Sequence, residues 1–415
     1  MRAAAYLALL RENPAFTRLY AAQLATFAGE WFATVALLGM VLELTGSAAA
    51  ASLVLVLQTG GFAVTAPFAG ILADRLDRRR LLLAANLGRM PLPLGFLLVG
   101  GPDTLWLLFA IVALLAAGAA TFEPTSSASL PNLVPRERLP EANVLIGSAW
   151  GTMLAVGAAI GGLVAATLGR EAVFVINAIA FAGSAALIAG IRRPLQEPRG
   201  GAEEPHPSFL EAARVALGFA RAHRLVGAFL LSKTTFGFGT GIVALLAVFG
   251  ADVFDGGDAG IGLLFAARGL GALTGPFAAR AMLGTEDRGL LVGIGASLLV
   301  VVVCYGIFPL APAIGLAAVL VFAAHLGGGA QWTLSTLGLQ RSTPDALRGR
   351  LFSFDYTLVT LTITISTLAA GLIADAVSPA ASVWAMVGLV AIAGSAWAVF
   401  AAPLLTTRPG VDQER

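Results

Sequence analysis

Twelve times along the chain an apolar block of about twenty residues is closed by a short polar turn. A bilayer core of ~30 Å takes ~20 helical residues, so each block is long enough to cross a membrane. The predicted spans are 16–41, 48–72, 81–100, 104–125, 143–167, 171–191, 225–250, 259–281, 289–308, 312–336, 352–375 and 381–405. Ten-residue segments alternating between apolar and polar, which would point to a barrel, are not seen. With 58% hydrophobic and 12% charged residues, the chain cannot cover itself with a water-facing surface. The fold class is therefore an all-α polytopic membrane protein.

Arginine and lysine set the orientation, because loops on the cytoplasmic side of a membrane carry most of them. With the N-terminus in the cytoplasm, 22 basic residues fall on that side and one, Arg170, on the other. Arg89, Lys233 and Arg268 remain inside spans. The outer loops are short and neutral or acidic, such as "ELTGS" and "ADVFDGGDAG". The expected setting is the inner (plasma) membrane, with both termini cytoplasmic. The opening "MRAAAYLALLRENPAF" has an apolar core too short for a leader and reads as a helix on the membrane surface.

Residues 192–224 form the longest polar stretch. Its first part is rich in Pro, Gly and Glu and reads as a flexible linker. From Ser208 the spacing turns helical, as for a helix lying on the membrane surface. The stretch separates six spans, 1–191, from six more, 225–415. The halves echo each other at nearly one offset. "VALL" at 35–38 recurs at 243–246, Gly70-x-x-x-Asp74-Arg75 recurs as Gly275-x-x-x-Ala279-Arg280, and Pro135 recurs as Pro344. Such a repeat is the architecture of carriers that open to each side of the membrane in turn, with substrate held near the midplane.

The most charged turn is "GILADRLDRRRL", Gly70 to Leu81. Topology accounts for its arginines but not for Gly70, Asp74 and Asp77. Gly70 lets a neighbouring helix approach, and Asp74 can accept hydrogen bonds from a helix N-terminus. The stretch Gly70, Asp74, Arg75, Arg78, Arg79 resembles the G-x-x-x-D-R-x-G-R-R motif of the major facilitator superfamily, with Asp77 where that family commonly has glycine. "TAPFAGILADRLDRRRLL" and "PNLVPRERLPEAN" are similar to the branch holding macrolide and enterobactin exporters. "GAAIGG", with Gly157, Gly161 and Gly162, resembles the span 5 motif of its antiporters, Ala158 standing in for a proline. The resemblance covers nearly the whole chain. It implies two pseudo-symmetric six-helix bundles. It also implies a conformational latch at Gly70, Asp74, Arg75 and Arg78 that meets the start of span 11 near Arg350 to Phe354.

Charges inside a bilayer cost ~2.5–3.5 kcal/mol each on insertion scales and call for a reason. Glu30 lies near the middle of span 1 and is the candidate proton-coupling carboxylate; a static pair with an arginine or lysine is the alternative. Lys233, the sole lysine of the chain, lies in span 7 and could pair with Glu30 or meet an acidic substrate. Arg268 sits ~18 Å of helix from Arg280. Gln23, Trp31, Lys233, Arg268 and His325 are candidates for the substrate cavity, with Gln58, Gln331 and Trp332 as further liners. Glu123 and Asp355 are candidates for a cytoplasmic gate, and Gly157, Gly161 and Gly162 for helix packing.

Several functions are excluded on motif grounds. "GLGALTG" (269–275) opens no βαβ unit and reads as helix packing rather than dinucleotide binding. There is no phosphate-binding G-x-x-x-x-G-K-[ST], no Cys/His cluster for a metal, and no catalytic triad. A net charge of +2 without a basic face gives no nucleic-acid partner. The expectation is a carrier rather than an enzyme, a monomer without cofactor that partners the lipid bilayer. It would export a small amphipathic molecule in exchange for protons. The rivals are an exporter or flippase of an anion such as a lysophospholipid, and a non-transporting membrane scaffold.

Overall fold

A computed structural model describes residues 2–196, 209–282 and 286–406. Every regular element among them is a helix, and twelve stretches are long and apolar enough to cross a membrane. Spans 1 to 6 are Pro14–Thr45, Ala48–Ala66, Arg78–Leu98, Pro102–Leu133, Arg136–Leu168 and Arg170–Ala189. Spans 7 to 12 are Arg224–Val253, Gly257–Ala279, Asp287–Leu310, Ile314–Arg341, Leu347–Ala376 and Pro379–Leu405. The helix of span 2 continues as far as Arg75.

Local chemistry marks the ends. Gly46 adopts φ 60° and closes span 1, and Ser47 then accepts the Ala50 N–H to open span 2. Spans 5 and 6 are parted by Gly169 alone, at φ 86°. Pro91 and Pro93 remove helical donors, and the last third of span 3 tightens into the 3₁₀ helix Leu92–Leu98. Span 7 is interrupted at Thr240 and Gly241, where a side chain on Gly241 would come within 2.3 Å of the Ser366 carbonyl.

Two compact units result. The first holds residues 1–202 and 246–269, the second 203–245 and 270–415. The division follows packing rather than chain order, so the end of span 7 and the first part of span 8 group with spans 1 to 6. The sequence division had placed them with the second half. Leu9, Phe16, Leu19, Leu82, Phe122 and Ile188 form a core of the first unit, and Val226, Phe229, Leu230, Leu291, Leu334 and Trp397 one of the second. Large apolar side chains such as Phe68, Trp106, Leu163, Val319 and Val399 stay exposed. In lipid that exposure is no penalty, and helix association rests on close packing instead.

Span 5 shows what close packing requires. A Cβ on Gly161 would lie 2.5 Å from the Phe32 carbonyl oxygen of span 1, and one on Gly157 3.2 Å from the Ala28 carbonyl. On its other side, a Cβ on Gly162 would lie 2.8 Å from the Cα of Gly262 in span 8. "GAAIGG" is thus the wedge of span 5 between spans 1 and 8. Ala158 is fully buried in the same contact, its carbonyl facing Gly262. The linker resumes as the helix Phe209–Ala222, which packs on spans 7 and 11.

Candidate functional site

Span 1 carries Glu30 into the middle of the first unit, where its carboxylate meets Arg89 of span 3 at 2.6 Å. Arg89 is among the largest fully buried side chains. It also donates to Asn86 Oδ1 at 2.5 Å and to the Ala85 carbonyl at 3.3 Å, and its guanidinium lies over the rings of Phe122 and Phe181. Gly118 of span 4 makes the room: a Cβ there would sit 2.5 Å from Arg89 Cδ. Beyond Asn86 the network continues, since Asn86 and Thr26 both donate to Ser184 Oγ, which donates to the Ala22 carbonyl. The two partners differ in access. The Arg89 side chain is 2% exposed and that of Glu30 27%. Glu123, one residue beyond Phe122, is within electrostatic reach of both. Glu30 is the carboxylate paired with this arginine, and Glu123 lies within the field of the pair. Gln23 is buried and accepts from Ser126 Oγ, tying span 1 to span 4.

Trp31 faces the other way. It meets Trp150 of span 5 edge-on at 5.6 Å and Phe265 of span 8 at 6.4 Å. Arg268 lies against all three rings, 5.5 Å from Trp31 and 5.8 Å from both Trp150 and Phe265. Trp150 is 40% exposed. Consecutive residues of span 1 therefore present a carboxylate and an aromatic platform.

In the second unit Lys233 forms an ion pair with Asp355 of span 11, not with Glu30. Both side chains are 4% exposed, and the ammonium lies 5.1 Å from the Trp332 ring centre. Beside the pair, Gln331 Nε2 donates to Ser232 Oγ. Removing one partner of a buried pair leaves the other charge uncompensated, at about 3–5 kcal/mol, whereas replacing both with apolar groups is much milder. Lys233→Met is thus expected to lower the melting temperature in detergent sharply, and Lys233→Met/Asp355→Leu to recover most of it. A double variant that melts no higher than Lys233→Met would show that the stranded carboxylate is not what destabilises the single variant. His325, also buried, shares a 2.7 Å hydrogen bond with Tyr305, between spans 9 and 10.

In the charged turn, Gly70 and Asp74 belong to the helix of span 2, and their side chains lie outside the described ones. Arg75 is exposed. Arg78 donates to the Ala128 and Leu195 carbonyls, at 2.7 and 3.3 Å, within its own unit. Arg79 donates to the Ala189 carbonyl. Asp77 caps span 3 by accepting the Arg80 N–H at 2.8 Å, which gives an aspartate a local reason to stand there.

On the opposite face of the first unit, Arg170 at the start of span 6 bridges two acids. It donates to Asp258 at the start of span 8, at 2.8 and 3.1 Å, and to Glu43 at the end of span 1. Gly39 makes the seat. A Cβ there would fall 1.9 Å from Asp258 Oδ1.

Residues 4–408 match the family described as transmembrane secretion effector, one of the major facilitator families. The chain belongs to the major facilitator superfamily. This major facilitator is 24% identical over 372 residues to macrolide efflux protein A of Streptococcus pyogenes, covering 87% of this chain and 89% of that one. It is 31% identical over 219 residues to the multidrug efflux pump Tap of Mycolicibacterium fortuitum, half of each chain. It also matches the transporter YfiS of Bacillus subtilis at 26% over 43% of each chain. Among solved structures it resembles a bacterial homologue of the human lysosomal transporter Spinster, in an inward-facing and unoccupied conformation. The TM-score is 0.71 at 16% identity, over 95% of this chain and 98% of that one. A peptide-transporter-family structure bound to 5-aminolevulinic acid gives 0.75 at 13%, over 95% and 97%. At those identities the structures establish the fold alone. The chain is a membrane transporter of small molecules, not an enzyme.

Within this major facilitator fold, several residues of the site were not singled out from sequence. Asn86 and Ser184 are ordinary polar residues in apolar runs, with nothing to mark them. Trp150 stood in plain view, but its facing depends on the rotation of span 5. Arg170 did carry a signal, as the lone basic residue on its side, next to loops that are neutral or acidic.

Proposed function

We propose that the chain is a proton-coupled exporter of small amphipathic molecules, working by alternating access. Its place is the cytoplasmic membrane, as a monomer with both termini inside. The arginine bias of 22 to 1 supports that orientation. The observation that carries the reading is the asymmetry of the Glu30–Arg89 pair, where a partly exposed acid is held by a sealed base. A proton can reach Glu30 and replace the arginine as its counter-charge. Arg89 would then still hold Asn86 and the Ala85 carbonyl. Glu123, within electrostatic reach of the same arginine, offers a second place for that proton. Substrate would lie against Trp31, Trp150 and Phe265. The efflux activity named for two relatives supports export as the direction. Gly70, Asp74, Arg75 and Arg78 would form the cytoplasmic latch, and the six-plus-six division about residues 192–224 the moving parts.

The test is uptake into proteoliposomes under an imposed pH gradient, with macrolides, lipophilic dyes and catecholate siderophores as probes. Wild type is expected to move a probe with the gradient, and Glu30→Gln to bind it without responding to the gradient. Gradient-driven uptake by Glu30→Gln would remove the coupling role. The Arg268 box favours a second reading, an anionic aromatic substrate. On that reading Arg268→Gln abolishes binding of anionic probes while the response of others to the gradient persists.

A further inference from the structure

A cavity of about 280 Å³ opens on the face of the first unit that carries the N-terminus, away from Glu30 and the aromatic platform. It lies where the N-terminal helix Arg2–Glu12 breaks at Asn13 and Pro14 to enter span 1. Its other wall comes from the end of span 4 and from the segment that leaves span 6. Arg18, Arg192 and Arg193 all line it.

The charges in this cavity are unbalanced. Glu12 is the acid of the lining, and it already accepts from Arg138 at 3.1 Å. Among the described residues, no carboxylate lies within ion-pair distance of Arg18, Arg192 or Arg193. Arg193 donates to the Leu133 carbonyl at 3.3 Å. Topology asks only that arginines lie on this side of the membrane. It does not ask three of them to converge on one cavity, where like charges repel until an anion joins them.

The level of the cavity identifies the anion. Spans 1, 4 and 6 all end around it, which is where headgroups meet the protein. In the orientation proposed above, on which this inference rests, the adjoining leaflet is the cytoplasmic one. Basic pockets between spans on that side suit anionic headgroups. The N-terminal helix supplies an apolar flank: Leu9 is fully buried in the core of the unit, and Leu7 on the same helix is 55% exposed. We propose that this cavity binds the phosphate of an anionic phospholipid, its acyl chains running outward past the N-terminal helix. The lipid would tie that helix to spans 1, 4 and 6. A soluble phosphate shares the chemistry, and the test separates the two.

The measurement is native mass spectrometry of the full chain after partial delipidation. Dioleoyl-phosphatidylglycerol, dioleoyl-phosphatidylethanolamine or inorganic phosphate is added back. Phosphatidylglycerol is expected to remain bound in preference to phosphatidylethanolamine, and phosphate not to displace it. Arg18→Gln/Arg192→Gln is expected to lower its retention about tenfold or more, since each interfacial arginine contributes appreciably to anionic lipid binding. Both side chains are exposed, so the variant is expected to melt like wild type. Arg18→Lys/Arg192→Lys is expected to keep most of the retention. Arg136→Gln/Arg341→Gln, placed elsewhere, is expected to leave it unchanged. Equal loss in that control, or no preference between the two lipids, would overturn the proposal. Displacement by phosphate alone would move the site to a soluble anion and overturn the lipid assignment. The readout needs neither substrate nor gradient, so a failure of the transport reading leaves this result standing.

Discussion

Arg89→Leu is expected to remove most of the folded protein. The substitution leaves Glu30 without its counter-charge and Asn86 Oδ1 without its donor, and it takes a guanidinium from between Phe122 and Phe181. Breaking a buried pair on one side costs about 3–5 kcal/mol, a large share of the 5–15 kcal/mol that holds a typical domain together. Glu30→Gln is expected to be far gentler, because the amide oxygen still accepts from Arg89 and the side chain is already partly exposed. The decisive comparison is Glu30→Gln/Arg89→Leu against Arg89→Leu alone. If the stranded carboxylate is the cause, the double variant melts at the higher temperature and is recovered in better yield. Identical melting would mean that the aromatic and Asn86 contacts, not the ion pair, hold Arg89 in place.

The second large effect is expected at Gly39. Leucine there must displace Asp258, whose carboxylate occupies the space of any Cβ, and so must separate Arg170 from one of its two acids. On the proposed alternating-access reading, span 8 swings with the second half of the chain as the exterior side opens, and this contact among spans 1, 6 and 8 then has to part. Gly39→Leu and Asp258→Asn are therefore expected to favour the outward-open state and to slow transport. A cysteine at the fully buried Ala36 position, in a Cys304→Ala background, reads the state directly. Labelling by an impermeant maleimide from outside is expected to be slow in the parent and fast in both variants. Labelling that stays slow would show that the ion triad does not gate that side.

The twelve spans were legible because bilayer thickness imposes a length that hydropathy records. The interruptions of spans 3 and 7 follow from Pro91, Pro93 and Gly241, which were visible but whose effect depends on neighbouring backbone. Pairing was less legible. Glu30 announces itself as a charge without company, yet nothing in a single sequence tells it from a partner for Lys233. That choice is made by the rotation of span 3, which turns Arg89 inward, and of span 11, which brings Asp355 to Lys233. His325 likewise looked like a cavity group, and only the register of spans 9 and 10 brings it to Tyr305. The glycines of span 5 carried their meaning openly, because few arrangements other than close helix contact need three of them in six residues. Why Arg170 breaks the charge bias became plain only with Asp258 and Glu43 beside it.

The seven residues "GLGALTG" have a mechanical consequence. Gly269 packs on the backbone of Ala155 in the first unit, whereas Gly271 and Gly275 pack on the backbone of span 10 in the second. One helix thus changes allegiance within half a turn, and span 7 does the same a few residues past its break at Gly241. A rod clamped at both ends by different bodies must flex when either turns. Side chains at the crossover would act as gear teeth, fixing one angle, while bare glycine surfaces act as a slip bearing. The wear points of this machine are therefore expected to be the places where its helices are smoothest.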